Sequence, residues 1–159
     1  GCVVYIQISV GKNNKDFKLY KFRSMRVNSD KQGLLTVGSK DSRITKAGYF
    51  IRKYKIDELP QLFNVLKGDM SFVGPRPEVR RYVDLYSEEQ MKVLSVRPGI
   101  TDPASIKYRN ENDLLSSASN PEQYYIQHIM PDKLKINIDY INTRTFFKDI
   151  KIIFQTIFG

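Results

Sequence analysis

The stretch "KYKIDELPQLFNVLKGDM", residues 53–70, sets two adjacent carboxylates, Asp57 and Glu58, between a run of cations and an apolar segment. Arg52, Lys53 and Lys55 come before the pair and Arg76 after it. Acids among cations suit phosphoryl chemistry: guanidinium and ammonium groups hold phosphate oxygens, while carboxylates hold a divalent metal beside them. A plainer reading competes. Asp is a favoured helix N-cap and Pro60 fits a first helical turn, so Asp57 alone can be read as the cap of the segment behind it. Capping uses one acid, however, and leaves Glu58 without a role. A glycosidase would need two carboxyls about 5–10 Å apart with a sugar between them, an arrangement that sequence neighbours seldom reach.

Composition narrows the partners. The 159 residues, 41% of them apolar, suit one compact domain with a real core. Lys and Arg outnumber Asp and Glu by 26 to 17, a net +9 that calls for something anionic: nucleic acid, a phospholipid surface or a phosphorylated substrate. Cys2 is the only cysteine and His128 the only histidine, which excludes a disulfide framework and a Cys/His zinc site, and points to a reducing, cytoplasmic compartment. No window holds the roughly 18 consecutive apolar residues of a membrane span, and the opening "GCVVYIQISVGKNN" lacks the pattern of a signal peptide. The chain enters without Met on a β-rich run, as a piece of a longer protein would.

The expected architecture is α+β, a single domain that is mostly helical with a small antiparallel hairpin. "CVVYIQISV" and "DFKLYKFRSM" read as the two strands, joined by "GKNNKD", with Lys21 and Arg23 on one side. "NSDKQGLLTVGSKD" reads as a mobile loop. "SRITKAGYFIRKY" reads as a helix with Ile44, Ala47, Phe50 and Ile51 inward and a basic outer face. Leu62, Phe63, Val65 and Leu66 predict a short buried helix ended by Gly68. "MSFVGPRPEV" predicts a strand entering a rigid turn, because Pro75 and Pro77 fix φ on both sides of Arg76. "EVRRYVDLYSEEQMKVLSV" reads as helix, "RPGITDPAS" as loop, and residues 120–159 as helix with a break at Pro131. In the last segment Phe146, Ile150, Ile153, Phe154 and Ile157 form an apolar stripe opposite Arg144, Lys148 and Lys151, which suits packing on the protein's own core or a membrane interface. "FKLYKFRSM" interleaves cations and aromatics as a nucleic-acid surface would, though a strand with alternate aromatics in the core accounts for the same pattern.

"FKLYKFRSM", "ITKAGYFIRKYKIDELPQLFNVLKGDMSFVGPRP" and "RPGITDPASIKYRNENDLL" closely resemble the bacterial sugar transferases, the monotopic polyprenyl-phosphate phosphoglycosyl transferases that begin capsule, O-antigen and glycoprotein glycan assembly. The resemblance runs through nearly the whole chain. It implies transfer of a sugar-1-phosphate from a UDP-sugar to undecaprenyl phosphate at the cytoplasmic face of the bacterial membrane, with Mg²⁺ as cofactor. It also implies that Asp57 attacks the β-phosphorus and releases UMP, with Glu58 as its partner, a metal ligand beside Asp57 or a proton handler. An Asp with a pKa near 3.9 is already ionised at neutral pH, so the obstacle is an anion approaching an anion. Like charges about 4 Å apart cost on the order of 4 kcal/mol at an effective dielectric of 20, which Mg²⁺ and Arg must offset.

By the same resemblance Arg76 of "GPRP" contacts phosphate. Arg52, Lys21 and Arg23 are further cationic candidates, Arg97 and Thr101 belong to a nucleotide-pocket loop, and Asp132 matches a late acid. No nucleic-acid partner is implied, a homo-oligomer is left open, and sugar specificity is expected within 104–121. Members normally carry a hydrophobic re-entrant helix ahead of the first strand, which is absent from this sequence. Where they read Gly-Pro-Val-(aromatic)-Tyr-x-Gln-x-Arg, the chain has Cys2 for the Pro and Ser9 for the Arg.

Overall fold

The computed structural model describes residues 3–29, 33–38 and 41–159. Cys2 lies outside these, as do residues 30–32 and 39–40 of the segment read as a mobile loop.

The first hairpin forms as its alternation predicts. β1 (Val4–Val10) pairs antiparallel with β2 (Asp16–Phe22), and the turn between them uses left-handed backbone at Asn13 and Asn14, a conformation that Asn tolerates better than most residues. Ser9, Val10 and Leu19 are buried, Tyr5, Gln7 and Lys21 face a cleft, and Val4, Ile6 and Ile8 point outward.

α1 (Lys46–Lys53) starts at Thr45, whose hydroxyl accepts from the Gly48 N–H. Its contact with the hairpin is not the apolar face expected. Ile44 precedes the helix and bridges to Met25, Phe50 and Ala47 are exposed, and the buried position is Gly48, where any Cβ would lie 1.9 Å from the Ser24 carbonyl oxygen. The missing side chain is what lets the helix lie on the backbone beyond β2.

α2 (Gln61–Lys67) inverts the expectation outright. Its buried residues are Gln61 and Asn64, while Leu62, Phe63 and Leu66 are exposed, the last by 82%. The cause is the free edge of β2. Asn64 donates from Nδ2 to the Lys18 carbonyl at 2.7 Å and accepts at Oδ1 from the Tyr20 N–H at 3.1 Å, the pair of bonds that a third strand would have made. A polar face inward satisfies that edge, and the apolar face is left outside.

β3 (Ser71–Val73) follows the Gly68 cap of α2 and runs parallel to β4 (Gly99–Thr101), so "RPGITDPAS", read as a loop, supplies a strand and then α4 (Pro103–Lys107). The segment 78–96, read as continuous helix, contains only α3 (Arg80–Val83) and a 3₁₀ stretch at Gln90–Ser95. After α5 (Glu111–Ser116) and α6 (Pro121–Tyr124), a π turn at Tyr125–Ile129 leads into α7 (Met130–Thr143). Helical backbone continues through Ile129 and Met130, so the break expected at Pro131 falls instead at Arg144, ahead of α8 (Phe146–Phe158). The Met130 N–H bonds to the Tyr125 carbonyl five residues back, which accommodates a proline without breaking the helix.

The main core joins Tyr82, Val93, Leu115, Tyr125, Ile129, Met130 and Leu134, and a smaller one joins Val73, Tyr140 and Ile152. α8 touches the second core through Ile152, and Thr156 meets Thr101 across it at 2.6 Å. The stripe predicted on α8 is therefore mostly not core: Phe146, Ile150, Phe154 and Ile157 are exposed and only Ile153 is half-buried. No helix among the described residues is long and apolar enough to cross a membrane.

Candidate active site

A cleft of about 430 Å³ opens between the hairpin, α1 and α7. Into it come Lys21 and Arg23 from the end of β2, Arg52 from α1, Lys55, Asp57 and Glu58 from the turn that follows, Arg76 from "GPRP", and Asp102. The local chain explains the placing. Lys55 takes a left-handed conformation that ends the run from α1, and Ile56–Glu58 form one 3₁₀ turn before α2 begins at Gln61. α2 has no side-chain cap, so Asp57 does not do the work of an N-cap.

Asp57 is only 8% exposed, and its Oδ1 has no hydrogen-bond partner among the described residues. Burial, followed by the negative charge of Glu58, raises its carboxyl above the ordinary value, against the pull of Arg52, Lys21 and Lys55. Glu58 has the opposite fate. Burial alone would raise it, but the charge and hydrogen bonds of Arg76, helped by Lys55 and Lys21, outweigh that and hold it down at about 2. The Arg76 guanidinium meets both Glu58 oxygens, Nη1 to Oε2 at 3.1 Å and Nη2 to Oε1, and Nη1 also donates to the Ile100 carbonyl at 3.1 Å. Two neighbouring acids thus stand in different states of engagement: both Glu58 oxygens are clamped, while Asp57 Oδ1 has no hydrogen-bond partner among the described residues.

Lys21 is lowered to about 8, first by burial and then by the nearby Arg76. Its Nζ donates to Gln7 Oε1 at 3.1 Å, and Gln7 Nε2 donates to Ser9 Oγ at 3.2 Å, so fully buried Ser9, where the resemblance leads one to expect Arg, ends a chain that holds Lys21. Arg52 donates to Thr36 Oγ1 at 2.9 Å, and Arg23 lies over the Tyr5 ring, 5.7 Å from its centre. The far wall is aromatic, with Tyr82, Tyr86 and Tyr125. Tyr125 donates to Glu78 Oε2 at 2.5 Å, and burial raises the Tyr86 hydroxyl well above its usual range.

Of the residues singled out in the sequence, Asp57, Glu58, Arg76, Arg52, Lys21 and Arg23 share this cleft, whereas Arg97, Thr101 and Asp132 are not among the residues that line it. Arg97 is exposed beside Gly68, Thr101 is bound to Thr156, and Asp132 accepts from Lys107 Nζ and Tyr108 OH at 2.6 Å each. Sequence reasoning missed Gln7, Asp102 and Asn137. Gln7 matches the Gln of the Tyr-x-Gln-x-Arg pattern but that match assigns it no role, and Asp102 reads as an ordinary cap ahead of Pro103.

The model of the family described as bacterial sugar transferase matches residues 1–159. The chain belongs to the bacterial sugar transferase family. The chain is 41% identical over 160 residues to a UDP-N-acetylgalactosamine-undecaprenyl-phosphate N-acetylgalactosaminephosphotransferase of Aeromonas hydrophila, covering 99% of this chain and 35% of that protein. It is 36% identical over 162 residues to a UDP-glucose:undecaprenyl-phosphate glucose-1-phosphate transferase of Escherichia coli, covering 99% and 32%. It is also 41% identical over 155 residues to the uncharacterized sugar transferase EpsL of Bacillus subtilis, covering 98% and 68%. The chain spans about a third of the length of the first two relatives.

Proposed function

We propose that this chain moves a sugar-1-phosphate from a UDP-sugar to polyprenyl phosphate and releases UMP. The observation that carries the reading is the free Oδ1 of Asp57, buried in a cleft lined by cations while its neighbour Glu58 is fully engaged. A buried acceptor without a partner is costly unless a ligand uses it.

In the first step an Asp57 oxygen bonds to the β-phosphorus, the bond from that phosphorus to the bridging oxygen breaks, and the electron pair leaves with UMP. In the second, a phosphate oxygen of the polyprenyl phosphate bonds to the same phosphorus and the Asp57 carboxylate departs. Neither step needs a proton removed from Asp57. Arg76, Lys21 and Arg52 face the charge of the diphosphate, and fixed cations in a partly dry cleft stabilise a transferring phosphoryl group more than water does. Glu58, kept ionised by Arg76, serves as the counter-charge that fixes the guanidinium rather than as a proton carrier.

Among the described residues no three His, Cys, Asp or Glu side chains gather as a metal cage. Magnesium needs only one or two carboxylates beside substrate phosphates, and the unpartnered Asp57 oxygen fits that demand. Bound there, it would draw negative charge away from the diphosphate.

The acceptor lipid puts the reaction at a membrane surface, on this reading the cytoplasmic leaflet. The outward apolar faces of α2 (Leu62, Phe63, Leu66) and α8 (Phe146, Phe154, Ile157) support docking there, with the net +9 charge favouring an anionic leaflet.

The test is nucleotide release from a panel of UDP-sugars with polyprenyl phosphate and Mg²⁺, together with the intact mass of the chain incubated without acceptor. UMP and a mass gain of one sugar phosphate, both lost in Asp57→Asn, are expected. Release of UDP instead would overturn the reading.

A further inference from the structure

We propose that Asp102 is a positioning residue that sets Arg76 for the phosphates. The inference rests on the reading of Arg76 as the phosphate-contacting group, and three observations carry it.

Asp102 has no exposed surface, yet its carboxylate is fully subscribed. Oδ1 accepts from the Ser105 N–H at 2.6 Å, and Oδ2 accepts from the Arg76 backbone N–H at 2.9 Å and from Asn137 Nδ2 at 2.8 Å. A cap on a helix as short as α4 needs one acceptor atom. Here the second oxygen is spent on a residue 26 positions earlier, in a different strand connection.

Arg76 is gripped at both ends by one short segment. Its backbone is held by Asp102 and its guanidinium by the carbonyl of Ile100, two residues earlier, before it reaches Glu58. Pro75 and Pro77 have no N–H, so Arg76 supplies the one backbone donor of residues 75–77, and Asp102 takes it while the Pro75 carbonyl accepts from the Gly99 N–H at 3.0 Å.

The third member, Asn137, is buried on α7 and lines the same cleft, so the bridge joins the turn, the start of α4 and α7 at one atom. Because Asp102 can only accept, Asn137 must present its NH₂ to it, which fixes the amide orientation. The same carboxylate therefore holds the backbone of Arg76 and the side-chain amide of Asn137.

Two variants separate positioning from capping. Asp102→Ser keeps an oxygen for Ser105 N–H but cannot also reach Arg76 and Asn137. Asp102→Asn keeps the shape with one accepting oxygen in place of two, and serves if the Ser variant does not fold. In a crystal structure of either folded variant, the Arg76 guanidinium is expected to leave Glu58 or the Ile100 carbonyl; both contacts retained would overturn the proposal. In calorimetric titration with UDP, and in the rate of UMP release, each variant is expected to lose about 10- to 100-fold, as a misplacement of about 1 Å does at a reacting centre. On an Arg76→Ala background the same substitution is expected to change either quantity less than about 2-fold, because it acts through Arg76. An undiminished loss on that background would assign Asp102 a merely structural role. Should the wild-type chain release UDP or nothing, the phosphoglycosyl-transfer reading falls, and the crystal structures still decide whether Asp102 holds Arg76.

Discussion

Gly74 and Gly99 pass each other with no room for a side chain on either: a Cβ on Gly99 would lie 2.1 Å from the Gly74 nitrogen, and one on Gly74 would lie 2.6 Å from the Arg97 carbonyl oxygen. The contact holds the parallel β3–β4 pair together just before the turn that carries Arg76. Gly99→Ala must push backbone against backbone, so a loss of about 1–3 kcal/mol is expected in urea unfolding. A variant as stable as the parent would mean that the two strands can separate without harm.

Asp57→Asn should part stability from activity. A buried carboxylate raised above its ordinary value opposes folding at neutral pH, because the unfolded chain ionises it more readily. The neutral isostere removes that opposition, so the melting temperature is expected to hold or rise while UMP release disappears. A cap would behave otherwise, costing about 0.5–2 kcal/mol on replacement.

Two groups give the cleft a definite pH response. Glu58, lowered from 4.5 to about 2, contributes stability that is present above pH 4.5 and fades as pH falls from there toward 2. Lys21, lowered from 10.5 to about 8, is a cation whose burial opposes folding, and that opposition fades as pH rises from 8 to 10.5, since the unfolded chain then holds more protons. Denaturation midpoints measured across both windows should show Glu58→Gln flattening the acid limb and Lys21→Met flattening the alkaline one. Unchanged slopes would show that other groups set them.

The outward face of α2 allows a test of the membrane surface that leaves the cleft alone. Replacing Leu62, Phe63 and Leu66 together with Ser removes exposed side chains, so little change in stability is expected. Sedimentation with vesicles containing anionic lipid should fall several-fold. Equal binding by parent and variant would move the docking surface elsewhere.

Asn64→Leu makes the complementary prediction. It would suit the apolar pattern of α2 but strand the Tyr20 N–H and the Lys18 carbonyl at a buried edge, at a cost of about 1–3 kcal/mol for each. Spacing alone therefore cannot say which face of α2 is buried. Its spacing was visible, but which face turns inward depends on an unpaired strand edge more than forty residues earlier. β4 was hidden for a related reason: three residues have no period, and its partner β3 lies 28 positions away in register. The hairpin, the Gly68 cap and the proline-framed Arg76 were legible because local backbone chemistry determines them. Within the cleft, Asp57, Glu58 and the cations stood out as reactive residue types, while Asp102 and Gln7 did not, since their importance lies only in what they touch.

The π turn at Tyr125–Ile129 amounts to an insertion of a single residue carried inside a helix. Each α-helical residue advances about 100°, but the wider turn takes up one residue more over the same angle, so the helix stays in phase on either side while positions five apart share a face. Tyr125 and Met130, five apart, thereby reach the same cleft that Lys133 and Asn137 reach further along. Changes of length in this helix are accordingly not equivalent. Removing one residue between 125 and 129 would convert the turn to ordinary α-helix and leave α6 in phase with α7, whereas removing one from the regular α-helical part of α7 would swing the chain before it by about 100° round the helix axis.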